Sequence, residues 1–335
     1  SFFCAVGGGW YQGGKNFDQL KVVVATHAMF EPDGLLAAFV PWCEVLVNDE
    51  AQERDLAGEC HLVKMQKGLP IPTDQPFGAK QYFCPSILSA SAKLEECQVQ
   101  RVRALGFVPV ILGLNDDGLR WPTVEFFQDP VAHDIKTGKS LNLTQCMAAM
   151  VPSFLFGERS EIVAGCHHLE HDCSHLGVVM FCAGKEQILA LRTSILEAAL
   201  NHKDTDVIVR YYGDPENVDV EGDSEFVQSP PPKPRNGCTK VIRVVLATEK
   251  VQSGINMDDS YVLAISSNTS KEVNFSGDLT AAKPIAYSSY LQRRGRVGRK
   301  NVAVRLHFCI KGGWREVKLF TATIVDVIHM AYTDT

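Results

Sequence analysis

A chain of 335 residues that is 45% hydrophobic and 21% charged has the composition of a globular protein, long enough for two domains with separate cores. Its net charge of −6 excludes nucleic-acid binding through bulk charge, so such binding would need a local basic surface on an acidic body. Eleven cysteines, an odd count without a small-domain framework, exclude a disulfide scaffold and point to reduced thiols in a cytoplasmic compartment.

No uninterrupted apolar run reaches the ~20 residues needed to span a bilayer. The chain opens on Ser1, and Phe2-Phe-Cys-Ala-Val6 is too short for a signal peptide and lacks its basic flank. Such an opening is expected of a processed product or of part of a longer chain.

Short β-branched runs alternate with helical stretches, which predicts an α/β fold. Lys21-Val-Val-Val-Ala25 and Glu44-Val-Leu-Val47 read as buried parallel strands. The second of these runs into Asp49-Glu50, which sets two carboxylates at the carboxyl edge of a sheet, where α/β folds bind ligands. From about 95 to 160 the periodicity is weak. Thr137-Gly-Lys-Ser140 has the ending of a phosphate-binding loop, but His133 stands where its first glycine belongs, so it reads as a surface turn. Cys166-His-His-Leu-Glu-His-Asp-Cys-Ser-His175 packs zinc-type ligands together. Without a second Cys-x-x-Cys knuckle, and leading into a core strand, it reads as a polar linker in preference to a zinc site.

Val178-Val-Met-Phe181 is the next expected strand. Ile188, Leu189, Leu191, Ile195, Leu196, Ala199 and Leu200 follow mostly at helical spacing, which predicts a crossover helix with a core-facing stripe. Ser229-Pro-Pro-Pro-Lys-Pro-Arg235 reads as a semi-rigid loop. Arg243-Val-Val-Leu-Ala247 and Tyr261-Val-Leu-Ala-Ile265 are further strands. The expected division is 1–155, 156–310 and a C-terminal extension over 311–335, where Gly312-Gly-Trp314 reads as a turn.

The densest chemistry lies in Tyr290-Leu-Gln-Arg-Arg-Gly-Arg-Val-Gly-Arg299, where four arginines and Gln292 surround two glycines that let the backbone turn. Arginine is always charged, and its planar fork matches phosphate oxygens. Two readings follow from the residues alone: a phosphate-transfer site, or a nucleic-acid backbone site.

This string resembles motif VI of superfamily 2 helicases, Gln-Arg-x-Gly-Arg-x-Gly-Arg. Asp49-Glu-Ala-Gln52 resembles motif II of the DExH type, with Gln52 where the commoner form has His. Lys21 to Phe30 resembles the strand and loop after motif Ia, Ser89-Ala90-Ser91 resembles motif III, Gly177 to Glu186 motif IV, and Arg243 to Asn256 motif V. The matches run in family order over about residues 15 to 305. The spacing from motif V to motif VI is most similar to the helicases of positive-strand RNA virus polyproteins (flavivirus, hepacivirus and potyvirus kind), with cellular DEAH-box helicases second.

The resemblance implies two tandem RecA-like domains and an RNA helicase that uses ATP and Mg²⁺ in the cytoplasm, the host's if viral. Its partners would be single-stranded or partly duplex RNA and other replication proteins. Asp49 would hold Mg²⁺ through ATP, and Glu50 would act on the attacking water. Gln292 would help hold that water, Arg296 and Arg299 would reach the γ-phosphate, and Gly254 would approach the nucleotide. Thr26 and Thr248 would contact the nucleic-acid backbone, while Gln52, Ser89, Ala90 and Ser91 would couple the two events. Arg293 and Arg294 would form ion pairs that support the loop. A Gly-x-x-x-x-Gly-Lys-Ser/Thr loop is missing before motif II, so the first domain is expected to lack its N-terminal P-loop part, which would lie upstream in a longer chain. The alternative is a non-catalytic nucleic-acid-binding or scaffold module derived from a helicase.

Overall fold

The computed structural model describes residues 2–6, 9–12, 22–25, 45–48, 69–70, 82–83, 86–89, 96–104, 108, 110, 123–129, 132–133, 140–157, 174–212, 223–235, 237–248, 257–258, 260–271, 281–298 and 302–314. The chain forms two compact units, one of Ser1–Val110 with Val317–Thr335 and one of Ile111–Glu316. Residues 123–155, expected in the first domain, therefore lie in the second unit.

In the first unit, β1 (Phe2–Val6) pairs antiparallel with β2 (Gly9–Gln12) and parallel with β3 (Val22–Ala25). Strand β4 (Val45–Asn48) runs parallel to β7 (Ser86–Ser89), while β5 (Leu69–Pro70) and β6 (Tyr82–Phe83) form a short antiparallel pair. Helix α1 spans Glu96–Ala104. The expectation that 44–47 is a buried strand is half met. The parallel strand is there, but Val45 and Val47 are more than half exposed, as is Leu88, the β7 residue in register with Val47. A period of two puts these three on one face, and among the described residues no element packs on that face of the two-stranded sheet.

The second unit is built on one six-stranded, wholly parallel sheet. Its strands are β8 (Thr123–Phe127), β11 (His175–Phe181), β12 (Thr205–Tyr212), β13 (Lys240–Ala247), β14 (Tyr261–Ser266) and β17 (Ala303–His307), in spatial order β12-β13-β11-β14-β17-β8. Short pairs β9 (Ala132–His133) with β10 (Ser140–Leu141), and β15 (Thr269–Ser270) with β16 (Lys283–Pro284), lie outside it. Among the described residues four helices accompany them: α2 (Leu143–Leu155), α3 (Lys185–Ala199), α4 (Asp223–Gln228) and α5 (Tyr287–Arg294).

Strand alternation divides the sheet into two unlike faces. Val178, Met180, Ile242, Val244, Leu246, Leu263, Ile265, Val304 and Leu306 share the first face and form one core with α2 and α3. Helix α3 contributes Ile188, Leu191 and Ile195 at i, i+3 and i+7, whereas Leu189 and Leu200, expected in the stripe, are 51% and 77% exposed. Helix α2 starts at a capping box, in which the Asn142 side chain accepts from the Gln145 amide at 2.9 Å and the Asn142 amide donates to Gln145 Oε1 at 3.1 Å. Pro152 lies inside this helix and has no N–H to give the Ala148 carbonyl. Ser194 of α3 fills the gap, its hydroxyl donating to that carbonyl at 2.5 Å. The helix tolerates its proline because a neighbouring helix supplies the missing donor.

Candidate functional site

On the second face the same strands carry charge beside a smaller apolar cluster that includes Val179, Phe181, Val245 and Ala264. Arg243, Arg305, His307 and Ser266 are each at most 2% exposed there, and Thr123 and Glu125 sit on β8 in register with Ala303 and Arg305. Helix α5 lies over this face and holds the first half of the arginine string, with Arg293 and Arg294. Tyr290 and Arg294, one turn apart, therefore point the same way. The Tyr290 hydroxyl donates to Glu125 Oε2 at 3.1 Å, and Arg294 Nε reaches Glu125 Oε1 at 3.0 Å. Arg305 Nη1 donates to the same Oε1 at 3.0 Å and to Thr123 Oγ1 at 2.9 Å, while its Nη2 donates to the Val297 carbonyl at 3.1 Å. One carboxylate thus ties together the helix, strand β17 and, through Arg305, the loop beyond the helix.

Electrostatics follow this geometry. Burial pushes the Glu125 carboxyl up, but the Arg294 charge, the Arg305 hydrogen bond and charge, and the Tyr290 hydroxyl together hold it below its ordinary value. Burial lowers the Arg305 guanidinium, which Glu125 offsets only in part; an arginine remains charged throughout. Burial pulls the His307 imidazole down to about 4, so it is neutral at pH 7. It stacks on Phe127 with ring centres 5.0 Å apart and lies 5.1 Å from Tyr290, which in turn stacks on Trp314 at 4.2 Å.

The arginines of the string divide by environment. Arg293 is 1% exposed, donates to Ser266 Oγ at 3.2 Å and sits 5.4 Å above the Phe181 ring. Arg294 is paired with Glu125. Both are framework groups, as the ion-pair expectation had it for Arg294; Arg293 is held by a hydroxyl and an aromatic face. Arg296 is partly exposed, its amide donating to the Arg293 carbonyl at 3.2 Å. Gln292 is partly exposed as a residue, with its Nε2 buried. The two glycines also differ. Gly295 adopts φ −72°, open to any residue. Gly298 adopts φ +82°, and a Cβ there would stand 2.8 Å from Thr123 Cγ2. Only the second glycine is demanded by the turn.

Helix α5 runs against the strand direction. Tyr290 lies by His307, the last residue of β17, and Gly298 lies against Thr123 and Ala303, the first residues of β8 and β17. Thr248 stands at the opposite edge. It follows β13 directly, where the Cys182 amide donates to the Ala247 carbonyl at 2.8 Å, and it is partly exposed. The arginine loop and Thr248 thus occupy opposite ends of one sheet. In the first unit, Ser89 ends β7 in register with Asn48, the residue before Asp49, so the backbones leading into the motif II and motif III strings end side by side.

Thr26, Asp49, Glu50, Gln52, Ala90, Ser91, Gly254 and Arg299 lie outside the described residues. Of the Cys166–His175 string only Ser174 and His175 are described, and both imidazole nitrogens of His175 are engaged, Nδ1 with the Ser174 hydroxyl at 2.7 Å and Nε2 with the Pro232 carbonyl at 3.2 Å. The proline-rich segment is held firmly, as a semi-rigid loop should be. Arg243 Nη1 donates to the Phe226, Ser229 and Pro230 carbonyls, and Arg235 pairs with Asp206 at 3.4 Å. Ser140 of the Thr137–Ser140 string pairs with His133 in β10–β9, a hairpin-like setting. Among the described residues no group of three or more His, Cys, Asp or Glu side chains could hold a metal ion, and no helix is long and apolar enough to cross a membrane.

Sequence reading missed Glu125, Tyr290 and Arg305 as parts of this site. A signal was available for Glu125: a single carboxylate inside the strand Thr123-Val-Glu-Phe-Phe127 needs a buried cationic partner.

No protein-family profile and no curated protein matches the chain. Solved structures do. The structure described as Escherichia coli DExH-box NTPase HrpB superposes with a TM-score of 0.59 at 15% identity, covering 95% of this chain and 33% of that one. That described as Escherichia coli DEAH/RHA helicase HrpB gives 0.60 at 16%, covering 95% and 35%. The chain spans about a third of the length of these proteins. At such identity the likeness is one of fold: the parallel α/β architecture is RecA-like, as in these helicase structures.

Proposed function

We propose that this chain is the core of an NTP-dependent RNA helicase, which couples ATP hydrolysis to movement along and unwinding of RNA. The observation that carries this reading is the seating of the arginine loop. Two arginines, a tyrosine and a left-handed glycine fix the 287–298 segment to the sheet, and Arg296 is left with partial exposure beside them. A solvated basic loop would need no such framework. A loop that must place one guanidinium against a transferring phosphoryl group does.

In this reading Arg296 and Arg299 stabilise charge on the γ-phosphoryl group, and Gln292 helps hold the attacking water. Asp49 binds Mg²⁺ with ATP, and Glu50 activates that water. If the residues present hold ATP and Mg²⁺, the metal's contribution is to neutralise the phosphate oxygens. Thr248 lies at the sheet edge away from the arginine loop, which suits a separate role on the nucleic-acid backbone, a contact that sets register without reading sequence. The two solved structures are bacterial; a viral polyprotein setting rests on the motif V to motif VI spacing.

The test uses the longest natural chain containing these residues. Arg296→Ala should lower RNA-stimulated ATP turnover by about 10³-fold or more while the circular dichroism spectrum is kept. Near-normal turnover in that variant would overturn the assignment. RNA binding without any turnover by the wild-type chain would favour the non-catalytic module.

A further inference from the structure

We propose that Glu125 is the positioning residue of the arginine loop: its carboxylate, joined at once to Tyr290, Arg294 and Arg305, sets where Arg296 is presented. The inference rests on the helicase reading above and adds to it a residue outside every motif.

A carboxylate offers about four acceptor positions. Two are taken here by hydrogen bonds, from Tyr290 at 3.1 Å and Arg305 at 3.0 Å, and Arg294 Nε adds an ion pair at 3.0 Å, the three groups coming from different places in the chain. Tyr290 and Arg294 fix α5 at two points one turn apart, so the helix can neither rotate nor slide without breaking one of them. Arg305 extends the hold, since its second nitrogen binds the Val297 carbonyl, the residue next to Arg296. Glu125 itself is fixed by strand β8, whose backbone is paired with β17 through Thr123–Phe127. The route from a rigid strand to the loop is therefore one carboxylate and one guanidinium group long.

A purely structural ion pair would need no more than Arg305, which Glu125 meets within its own sheet. Tyr290 and Arg294 are the excess, and both belong to the segment that carries Arg296. The charge-assisted hydrogen bonds from Tyr290 and Arg305 are directional, so they fix orientation as well as attachment, and the Arg294 ion pair adds to them. Glu125 touches no reacting atom and acts through Arg296.

The experiment is a double-mutant cycle on the natural chain, measuring kcat and KM for RNA-stimulated ATP hydrolysis. Glu125→Gln keeps the shape and removes the charge. It should lower kcat about 10- to 100-fold, the usual scale for a catalytic group displaced by about an ångström, with KM for ATP changed by less than about threefold. Arg296→Lys keeps a charge but loses the planar fork, and gives a reduced, measurable rate. In that background Glu125→Gln should cost less than about threefold, because the group it positions is already compromised. Equal effects of Glu125→Gln in both backgrounds, or unchanged kcat in the wild-type background, would overturn the positioning role even if the helicase reading holds. Full activity in Arg296→Lys and Arg296→Ala would instead sink the reading beneath it. Should Glu125→Gln not fold, Glu125→Asp keeps the charge on a shorter arm. It must show the same split between kcat and KM and the same non-additivity, and additive losses would reject the proposal.

Discussion

The two faces of the second unit's sheet are made by the same six strands and bury different chemistry, the second adding charged and polar groups to an apolar cluster of its own. On the first, Leu246, Leu263, Ile265 and Leu306 meet α2 and α3 in a core closed by shape alone. On the second, residues one position along the same strands bring Arg243, Arg305 and His307 out of water, the two arginines held by hydrogen bonds and, at Arg305, by the half-buried Glu125, and His307 stacked on Phe127. Apolar packing tolerates exchange between residues of similar volume. A buried charge network specifies its partners, because a missing one leaves another charge stranded. The arginine string lies on the face that specifies.

That difference can be broken from the charged side first. Arg305→Met keeps much of the stem but removes the donors to Glu125, Thr123 and the Val297 carbonyl. The expected loss is about 4 kcal/mol in urea unfolding, the scale for opening a buried pair from one end. A loss under about 1 kcal/mol would mean that Arg294 alone satisfies Glu125. From the apolar side, Leu246→Ala should cost about 3 kcal/mol as transfer and cavity terms combine, since Leu246 is fully buried. Leu246→Met should be nearly neutral, whereas no residue of similar size should replace Arg305 as cheaply.

The faces should also separate by pH. His307 is the buried imidazole of the second face, drawn down to about 4 from an ordinary 6.5. Between those values the unfolded chain takes up a proton that the folded chain refuses, so folding stability falls as pH drops from about 6.5 towards 4. Glu125, with its carboxyl held below the ordinary value, contributes stability above that value and loses it as pH falls through the folded one, so both groups act in the same direction. His307→Phe keeps a ring between Phe127 and Tyr290 and should remove about 2 kcal/mol of the acid-side loss. Parallel stability curves for the two proteins between pH 4 and 6.5 would show that His307 does not titrate on unfolding.

What could be read from sequence follows the same division. The strands 178–181, 243–247 and 261–265 were legible because β-branched runs mark parallel strands buried on both faces. The stripe of α3 was legible at Ile188, Leu191 and Ile195, while Leu189 and Leu200 misled because hydrophobicity alone does not say which side of a helix is covered. Helix α2 lies in the stretch of weak periodicity from about 95 to 160, and it carries Pro152, whose missing donor Ser194 supplies to the Ala148 carbonyl. The expected junction at 155 followed from that weak periodicity, and the second compact unit runs from Ile111 to Glu316. The arginine string stood out by composition, but the division of labour within it did not. Arg293 and Arg294 are told apart by what faces them, Ser266 and Phe181 for the first and Glu125 for the second, and such partners lie far away in sequence.

The smallest expected effect tests the junction between the charged face and the loop. Gly298 has φ +82°, and an added Cβ would stand 2.8 Å from Thr123 Cγ2 and 3.2 Å from Arg305 Nη2. Gly298→Ala should destabilise by about 1 to 2 kcal/mol through the left-handed backbone alone. Thr123→Ser removes the crowding methyl but leaves the backbone strain, so it should recover only the steric part. Gly295→Ala, at φ −72° with its nearest non-neighbour atom 3.4 Å from the added Cβ, should be close to neutral. Equal costs at the two glycines would mean that the loop is not seated on β8. Then the charged face would hold helix α5 but not the residues beyond it.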